Sequence, residues 1–109
     1  MYSELVAALK ALEGVAFTEH EWATRPACDH GTVQLDFAAA QDSGEDQHQG
    51  QAWQGSVDLY THGQARQTAS QVEGILEGYC GASWYLNLNT YEHDTGLLHR
   101  EYVFEIEVL

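Results

Sequence analysis

Alternation of apolar and polar residues constrains the fold of this chain more than any other feature of its sequence. In the segment 98–108 large apolar side chains occupy every second position from Tyr102 to Val108, and glutamates stand between most of them. Because successive side chains of a β-strand point to opposite faces, this pattern predicts a strand with one buried and one solvated face. Residues 32–40, 52–61 and 83–91 carry the same period of two. These four segments predict a sheet with an apolar face that a second layer must cover.

Within each strand the alternation also assigns one set of side chains to the core. The polar residues between them are expected to face water. The predicted inward-facing residues are Val33, Leu35, Phe37 and Ala39; Trp53, Gly55, Val57 and Leu59; Trp84, Leu86 and Leu88; and Tyr102, Phe104, Ile106 and Val108.

Two further segments carry apolar residues at the spacing of an α-helix. Residues 3–13 form the first, and Gly14 follows where a left-handed residue often ends a helix. The apolar stripe of residues 65–76 forms the second, and Gly78 is predicted to end it. Residues 15–17 are expected to form a short extended piece after the first helix.

The order of these segments predicts the fold class. Strands joined by hairpins form a largely antiparallel sheet, and the two apolar helix stripes need a sheet face to cover. We therefore expect a single α+β domain over residues 1–109, with two helices packed on one face of a four- to five-stranded sheet. A chain of this length buries about 65% of its unfolded surface. Residues 41–51 contain no large apolar side chain and are expected to form a long loop.

Charge argues against several classes of partner. Seventeen Asp and Glu residues face only four Lys and Arg residues, which gives a net charge of −13. Because no basic patch can replace the counterions of a polyanion, we expect no direct binding to DNA, RNA or anionic lipid. No apolar run reaches the ~20 residues needed to span a bilayer, so we expect no membrane contact. The N-terminal residues also lack the basic region of a secretory signal.

The sequence contains no recognisable catalytic or metal-binding motif. Six histidines are scattered without the i, i+4 spacing of a helical zinc site. Ser56 and Ser83 lack the G-x-S-x-G setting of a hydrolase nucleophile, and no glycine-rich loop can cradle a phosphate. Cys28 and Cys80 are isolated, which leaves open two free thiols or one disulfide. We expect no catalytic residue, metal or cofactor, and therefore no enzyme.

Candidate contact residues are aromatic and charged groups in irregular or exposed segments. Trp22 and Arg25 lie beside Pro26 in a stretch without periodicity, and aromatic and arginine side chains are favoured at interfaces. Arg66 and Arg100 are among the few cations available to pair with a neighbour's carboxylates. The predicted protein interface consists of Trp22, Arg25, Asp42, Glu45, Asp46, Arg66 and Arg100.

Several short strings stand in a characteristic order along the chain. They are Val15-Ala16-Phe17, Val57-Asp58-Leu59-Tyr60-Thr61, Gln71-Val72-Glu73-Gly74-Ile75-Leu76, Tyr91-Glu92-His93 and Tyr102-Val103-Phe104-Glu105-Ile106. With the leading helix and the polar loop, this order resembles the short tail-terminator or tail-completion proteins of long-tailed phages and prophages. The resemblance covers nearly the whole chain.

The resemblance implies a structural role without a chemical step. Such proteins form a ring, usually sixfold, that caps the tail tube and offers a face to the head-side connector. The implied partners are copies of the chain itself, the tail-tube protein and the connector protein. The implied location is the tail of the virion, after assembly in the cytoplasm of a bacterial host. Self-repulsion at a net charge of −13 is compatible with a monomer in dilute solution.

Two alternative functions remain open. A neck or head-closure protein between portal and tail would differ from a terminator in gene position, which the sequence does not contain. An acidic DNA mimic would inhibit a DNA-binding protein, and it would need its carboxylates on one face. The acidic residues fall on different predicted elements, which disfavours the mimic; they include Asp36, Glu45, Asp58, Glu73 and Glu105.

Overall fold

The structure is a computed structural model, and it describes residues 1–38 and 51–108. Its elements are α1 (Tyr2–Lys10), β1 (Ala16–Glu19), β2 (His30–Ala38), β3 (Gln51–Thr61), α2 (Arg66–Cys80), β4 (Trp84–Glu92) and β5 (Leu97–Val108). The loop predicted for residues 41–51 lies outside the described residues, except for Gln51, which begins β3.

The five strands form one mixed sheet in the order β1-β2-β3-β5-β4. β1 runs parallel to β2, and all the other neighbours are antiparallel. β5 lies between β3 and β4 in the sheet. It therefore pairs with β3, although α2 and β4 separate these two strands along the chain. β3 and β5 pair from Gln51 opposite Val108 to Thr61 opposite Leu98. The predicted largely antiparallel sheet is confirmed.

Both helices pack on the same face of the sheet. α1 contacts β1 and β5, and α2 contacts β4 and β5. Leu5 and Leu9 of α1 and Val72 and Leu76 of α2 are fully buried against the sheet, where Tyr102 is buried as well. Full burial of one such side chain stabilises the folded state by about 1.5–3 kcal/mol. The predicted α+β fold with two helices on one face is therefore confirmed.

Gly55 allows the centre of the sheet to pack closely. A Cβ at this position would lie 2.5 Å from the carbonyl oxygen of Gln34 and 2.5 Å from Cζ of Phe104. The Phe104 ring therefore occupies the space that any other residue on β3 would need. This contact fixes the β3–β5 pairing on which the arrangement of the opposite sheet face depends.

A β-bulge reverses the predicted orientation of Phe37. The register shifts between Leu35, which pairs with Gly55, and Phe37, which pairs with Gln54. Because the extra residue, Asp36, inverts the alternation, Phe37 points away from the helices and is 54% exposed. The prediction that Phe37 faces the core is wrong. Ala39, assigned to the same face, lies outside the described residues.

A second bulge separates two leucines of β4 that were expected to share a face. Leu86 pairs with Tyr102, whereas Leu88 pairs with Glu101, so the two leucines lie on opposite faces. The predicted common face is therefore wrong beyond Leu86. Trp84, at the start of the strand, does pack against the core, with its ring centroid 5.9 Å from that of Tyr102.

α2 extends further than its glycines suggest. It continues through Gly74 and Gly78 to Cys80, and Gly81 ends it with a φ of 59°. Tyr79 and Cys80 pack against the core, and this packing outweighs the helix-weakening effect of glycine. The predicted stop at Gly78 is wrong.

Candidate functional site

The sheet face opposite the helices, here called the open face, carries a row of three stacked rings. His30, Tyr60 and His99 lie at paired positions on β2, β3 and β5. The ring centroids of His30 and Tyr60 are 5.1 Å apart, and those of Tyr60 and His99 are 4.4 Å apart, with interplanar angles of 18° and 20°. We call this row the ring ladder. It depends on strand pairing, so no spacing along the sequence could have revealed it.

The connection between β1 and β2, residues 20–29, folds over one end of the open face. A parallel connection must return from the end of one strand to the start of the next, and here it does so across the sheet. It begins at His20, which has a φ of 65° and whose backbone N–H donates to the Val33 carbonyl oxygen at 3.0 Å. Trp22 then donates from Nε1 to the Gly31 carbonyl oxygen at 3.2 Å. The irregular segment predicted from the sequence is thus held onto the sheet.

Arg25 covers the ring ladder. Its guanidinium carbon lies 4.3 Å from the centroid of the Tyr60 ring, within the range of a cation–π contact. Its Nε–H donates to Nε2 of His30 at 3.1 Å, and its Nη2 lies 3.7 Å from Oε1 of Glu92 on β4. One side chain therefore connects the loop to β2, β3 and β4. Arg25 was predicted to contact a partner protein, but its guanidinium group makes a cation–π contact, a hydrogen bond and an ion pair within the chain.

The hydrogen bonds of His30 determine its tautomer. Nε2 accepts from Arg25, and Nδ1–H donates to the Cys28 carbonyl oxygen at 2.9 Å. The imidazole is therefore neutral in this arrangement, with its proton on Nδ1. Only 1% of His30 is exposed, and both of its ring nitrogens are hydrogen-bonded within the protein.

At the other end of the ladder, His99 lies between two carboxylates. Its Nε2 is 2.7 Å from Oδ1 of Asp58, and its Nδ1 is 3.6 Å from Oε2 of Glu92. Burial raises the pKa of Tyr60, and the negative charges of Asp58 and Glu92 raise it further. The positive charge of Arg25 partly opposes this shift. Nearby carboxylates favour the neutral phenol over a phenolate.

An open cavity of about 430 Å³ lies beside the ladder and is lined in part by Trp22, Arg25, Asp58 and Tyr60. The Asp58–His99 pair has the composition of an acid–base dyad. A dyad that activates a nucleophile must contact that nucleophile, yet the second nitrogen of His99 faces Glu92. Among the described residues, no group of three His, Cys, Asp and Glu side chains is placed to hold a metal ion. The contacts of Trp22 and Arg25 hold residues 20–29 over this face of the sheet.

The predicted contact residues divide between the two faces of the sheet. Trp22 and Arg25 lie on the open face, Arg66 lies exposed at the start of α2, and Arg100 is buried on the helix face. Sequence reasoning did not anticipate the burial of Arg100. Asp42, Glu45 and Asp46 lie outside the described residues.

The edge strand β4 carries exposed apolar side chains on both of its faces, which the prediction missed. Tyr85, Leu86, Leu88 and Tyr91 are all exposed large side chains of this strand. Within residues 1–38 and 51–108, no strand pairs with the outer edge of β4. The apolar composition of residues 84–91 was the available signal, but Leu86 and Leu88 were assigned to the core and the two tyrosines to neither face.

The two thiols are free and differ in environment. Cys28 is exposed in the loop over the open face, whereas Cys80 is half-buried at the end of α2. Burial raises the pKa of the Cys80 thiol to about 11. Of the two states that the sequence left open, the structure contains the free thiols.

No protein-family model and no curated protein matches this chain. Among the described residues, no helix is both long and apolar enough to cross a membrane.

Proposed function

We propose that this protein is a structural subunit that caps a phage tail tube and joins it to the head-side connector, acting as a ring of identical copies. The observation that carries the proposal is the exposed apolar edge strand β4. Free edges attract other strands, and proteins commonly protect them with lysine, proline or inward-pointing charge. Residues 84–91 contain no lysine, no proline and no charged residue, and the bulge at Asn87 is the only protective feature of this segment. Such an edge suits a strand that is covered on assembly.

The placement of the edges supports a ring. β4 and β1 lie at opposite ends of the sheet order, so one copy can present β4 to a different surface of the next. A repeated contact between unlike surfaces closes into a ring when the rotation fits. Because each copy carries a net charge of −13, free copies repel one another, and the tail tube would have to supply part of the binding energy.

The open face supports an acidic channel wall. Asp58, Glu101 and Glu105 occupy positions on this face of β3 and β5, and Asp58 lies directly opposite Glu101. If the open face lines the ring, carboxylates repel the phosphates of a passing genome and limit its adhesion. Among the described residues Arg25 is the one Lys or Arg side chain on this face, so the face offers no basic patch that would hold DNA.

One observation favours a second candidate, the acidic DNA mimic. The sequence placed Asp58 and Glu105 on separate elements, whereas strand pairing brings both to one face of the sheet. A mimic would displace DNA from a basic DNA-binding protein encoded in the same genome, measured by fluorescence anisotropy of labelled duplex. A tail subunit would leave that complex intact, so this assay separates the two candidates.

The main experiment adds the purified protein to tail tubes assembled from the tail-tube protein of the same genome. We expect the tubes to stop elongating, with lengths measured by negative-stain electron microscopy. Leu88→Lys places a charge on the exposed surface of β4, opposite Glu101, where folding tolerates it. We expect this variant to require at least about tenfold more protein for the same effect, which corresponds to the loss of one interface hot spot.

Ala7→Lys is the matched control, because it adds the same charge at an exposed position of α1. It should cap tubes as the unmodified protein does. Tubes that continue to grow at saturating concentrations of the unmodified protein would contradict the proposal. Equal capping by Leu88→Lys and Ala7→Lys would show that β4 is not part of the interface.

A further inference from the structure

A second cavity, of about 280 Å³, lies on the helix side of the sheet where α2 begins. We call it the α2 cavity. Two of the four Lys and Arg residues of the chain line it. Its complete lining is Gln64, Arg66, Ala69, Ser70, Glu73 and Arg100.

Arg100 is the unusual member of this lining. It projects from the helix face of β5, opposite Leu59, and is 6% exposed. Nη2–H donates to the Gln64 carbonyl oxygen at 2.6 Å, but Nη1 is buried and has no hydrogen-bond partner among the described residues. A buried guanidinium with an unmade hydrogen bond is costly, so proteins seldom retain one without a use.

The one carboxylate in the α2 cavity does not neutralise Arg100. Oε2 of Glu73 accepts a hydrogen bond from the Tyr102 hydroxyl at 2.7 Å. Within residues 1–38 and 51–108, Arg100 makes no ion pair with Glu73 or with any other carboxylate. The positive charge therefore remains available to a group from outside the subunit.

The start of α2 adds to this positive potential. Its N-cap residue, Ala65, adopts a left-handed conformation with a φ of 45° and offers no side-chain cap. The first turn contains no acidic residue and instead begins with Arg66. Unsatisfied backbone N–H groups at a helix N-terminus favour an anion, and here two guanidinium groups point to the same ligand chemistry.

We infer that the α2 cavity is a carboxylate-binding site, and that its occupant is an aspartate or glutamate side chain of a second copy of this chain. This inference rests on the proposed ring. The chain has seventeen carboxylates, and Glu105 and Glu107 are exposed at the end of β5 far from the cavity. A singly charged carboxylate also suits a site that already holds Glu73, because a phosphate dianion would be repelled more strongly. Arginine binds carboxylates through paired hydrogen bonds.

In this proposal a carboxylate reaches the buried Nη1 from the rim of the cavity, where Gln64 and Arg66 are exposed. The entering oxygen would complete the bonding of Arg100 while Arg66 and the first N–H groups of α2 hold the second oxygen. In a closed ring, this contact would fix the register between neighbouring copies.

The first arm of the test uses acetate as the probe, at constant ionic strength against chloride. In ¹⁵N NMR spectra we expect saturable shifts of the backbone amides of residues 66–68 and of the Arg100 Nε–H. Arg100→Met should lose this response or weaken binding by at least about tenfold, as expected for one charge-assisted hydrogen bond. Lys10→Gln, which removes one positive charge at the end of α1, should bind acetate normally.

The folding of Arg100→Met is checked by its thermal unfolding midpoint. Replacement of an unpaired buried charge by an apolar side chain of similar length should leave this midpoint unchanged or raise it. Retained folding together with a lost acetate response supports the site. A purely structural role for Arg100 would instead lower the midpoint and would overturn the inference, as would the absence of any acetate response in the unmodified protein.

The second arm identifies the occupant. Inorganic phosphate that binds more tightly than acetate under the same conditions would overturn the assignment to a carboxylate. In the tail-tube assay, Arg100→Met should cap at least about tenfold less effectively than Lys10→Gln. Normal capping by a variant that no longer binds acetate would overturn the second copy as the occupant. If the unmodified protein does not cap at all, the proposed function fails, whereas the acetate arm still decides the site.

Discussion

Replacement of Gly55 by alanine is expected to destabilise the protein by about 2–3 kcal/mol. The added Cβ would lie 2.5 Å from both the Gln34 carbonyl oxygen and Cζ of Phe104. Carbon atoms normally approach one another to about 3.5–4.0 Å, so the neighbours must retreat by about 1 Å. The ring can tilt, but the carbonyl belongs to the β2 backbone and can move only by opening the sheet. This places the cost at the upper end of the 1–3 kcal/mol typical of overpacking.

Urea unfolding followed by far-UV circular dichroism measures this cost. We expect a lower midpoint concentration with an unchanged slope, and a melting temperature reduced by about 10 °C. Gly74→Ala is the matched control, because a Cβ added at this exposed position of α2 would meet no atom within 4 Å. It should stabilise the protein by about 0.5–1 kcal/mol. A Gly55→Ala protein within about 0.5 kcal/mol of the original would refute the close approach of β2, β3 and β5.

Three further predictions concern side chains in different environments. Arg25→Ala should lower the free energy of unfolding by about 1–2 kcal/mol in urea titrations, because it removes the contact with the Tyr60 ring and a hydrogen bond. At pH 8 a colorimetric disulfide reagent should label Cys28 rapidly and Cys80 slowly, since a pKa of about 11 leaves about one Cys80 thiol in a thousand ionised. Burial raises the pKa of Tyr102 above its ordinary value of 10, and the hydrogen bond to Glu73 raises it further. The neutral Tyr102 hydroxyl therefore contributes fully to stability below about pH 10, and this contribution is lost as the pH rises from there towards the folded-state pKa.

Each of these predictions has a control and a contradicting result. For Arg25 the control is Arg25→Lys, which keeps the charge; an alanine variant as stable as the original would mean that the guanidinium does not hold the loop to the sheet. For the thiols, equal labelling rates in the folded protein would contradict the burial of Cys80. For the alkaline transition, Tyr102→Phe should flatten the pH dependence above pH 10, and an unchanged dependence would exclude Tyr102 as its source.

The sequence predicted the elements of this fold because each depends on a local pattern. The alternation in residues 98–108 and the apolar stripe of residues 65–76 specify their elements without knowledge of any partner. The bulges at Asp36 and Asn87 could not be predicted in this way, since a bulge is a property of two paired strands. Each bulge inverts the side chains that follow it, which is why Phe37 and Leu88 face the opposite side from the one predicted.

The candidate sites were less predictable than the elements, because both depend on long-range pairing. Tyr60 and His99 meet only because β5 inserts between β3 and β4, and the sequence does not contain that strand order. Arg25 was recognised as a contact residue, but its cover over Tyr60 follows from the path of residues 20–29. The alternation of β5 does place Arg100 on the same face as Tyr102, so its burial was within reach of sequence reasoning.

Satisfied and unsatisfied polar groups lie on different surfaces of the molecule. On the open face, His30 uses both nitrogens within the chain, and His99 lies between Asp58 and Glu92. Besides the outer edge of β1 and the Tyr2 hydroxyl, the described chain leaves two requirements unmet, at the outer edge of β4 and at the Nη1 of Arg100. Another protein chain can meet both of them, the first with a strand or an apolar surface and the second with a carboxylate.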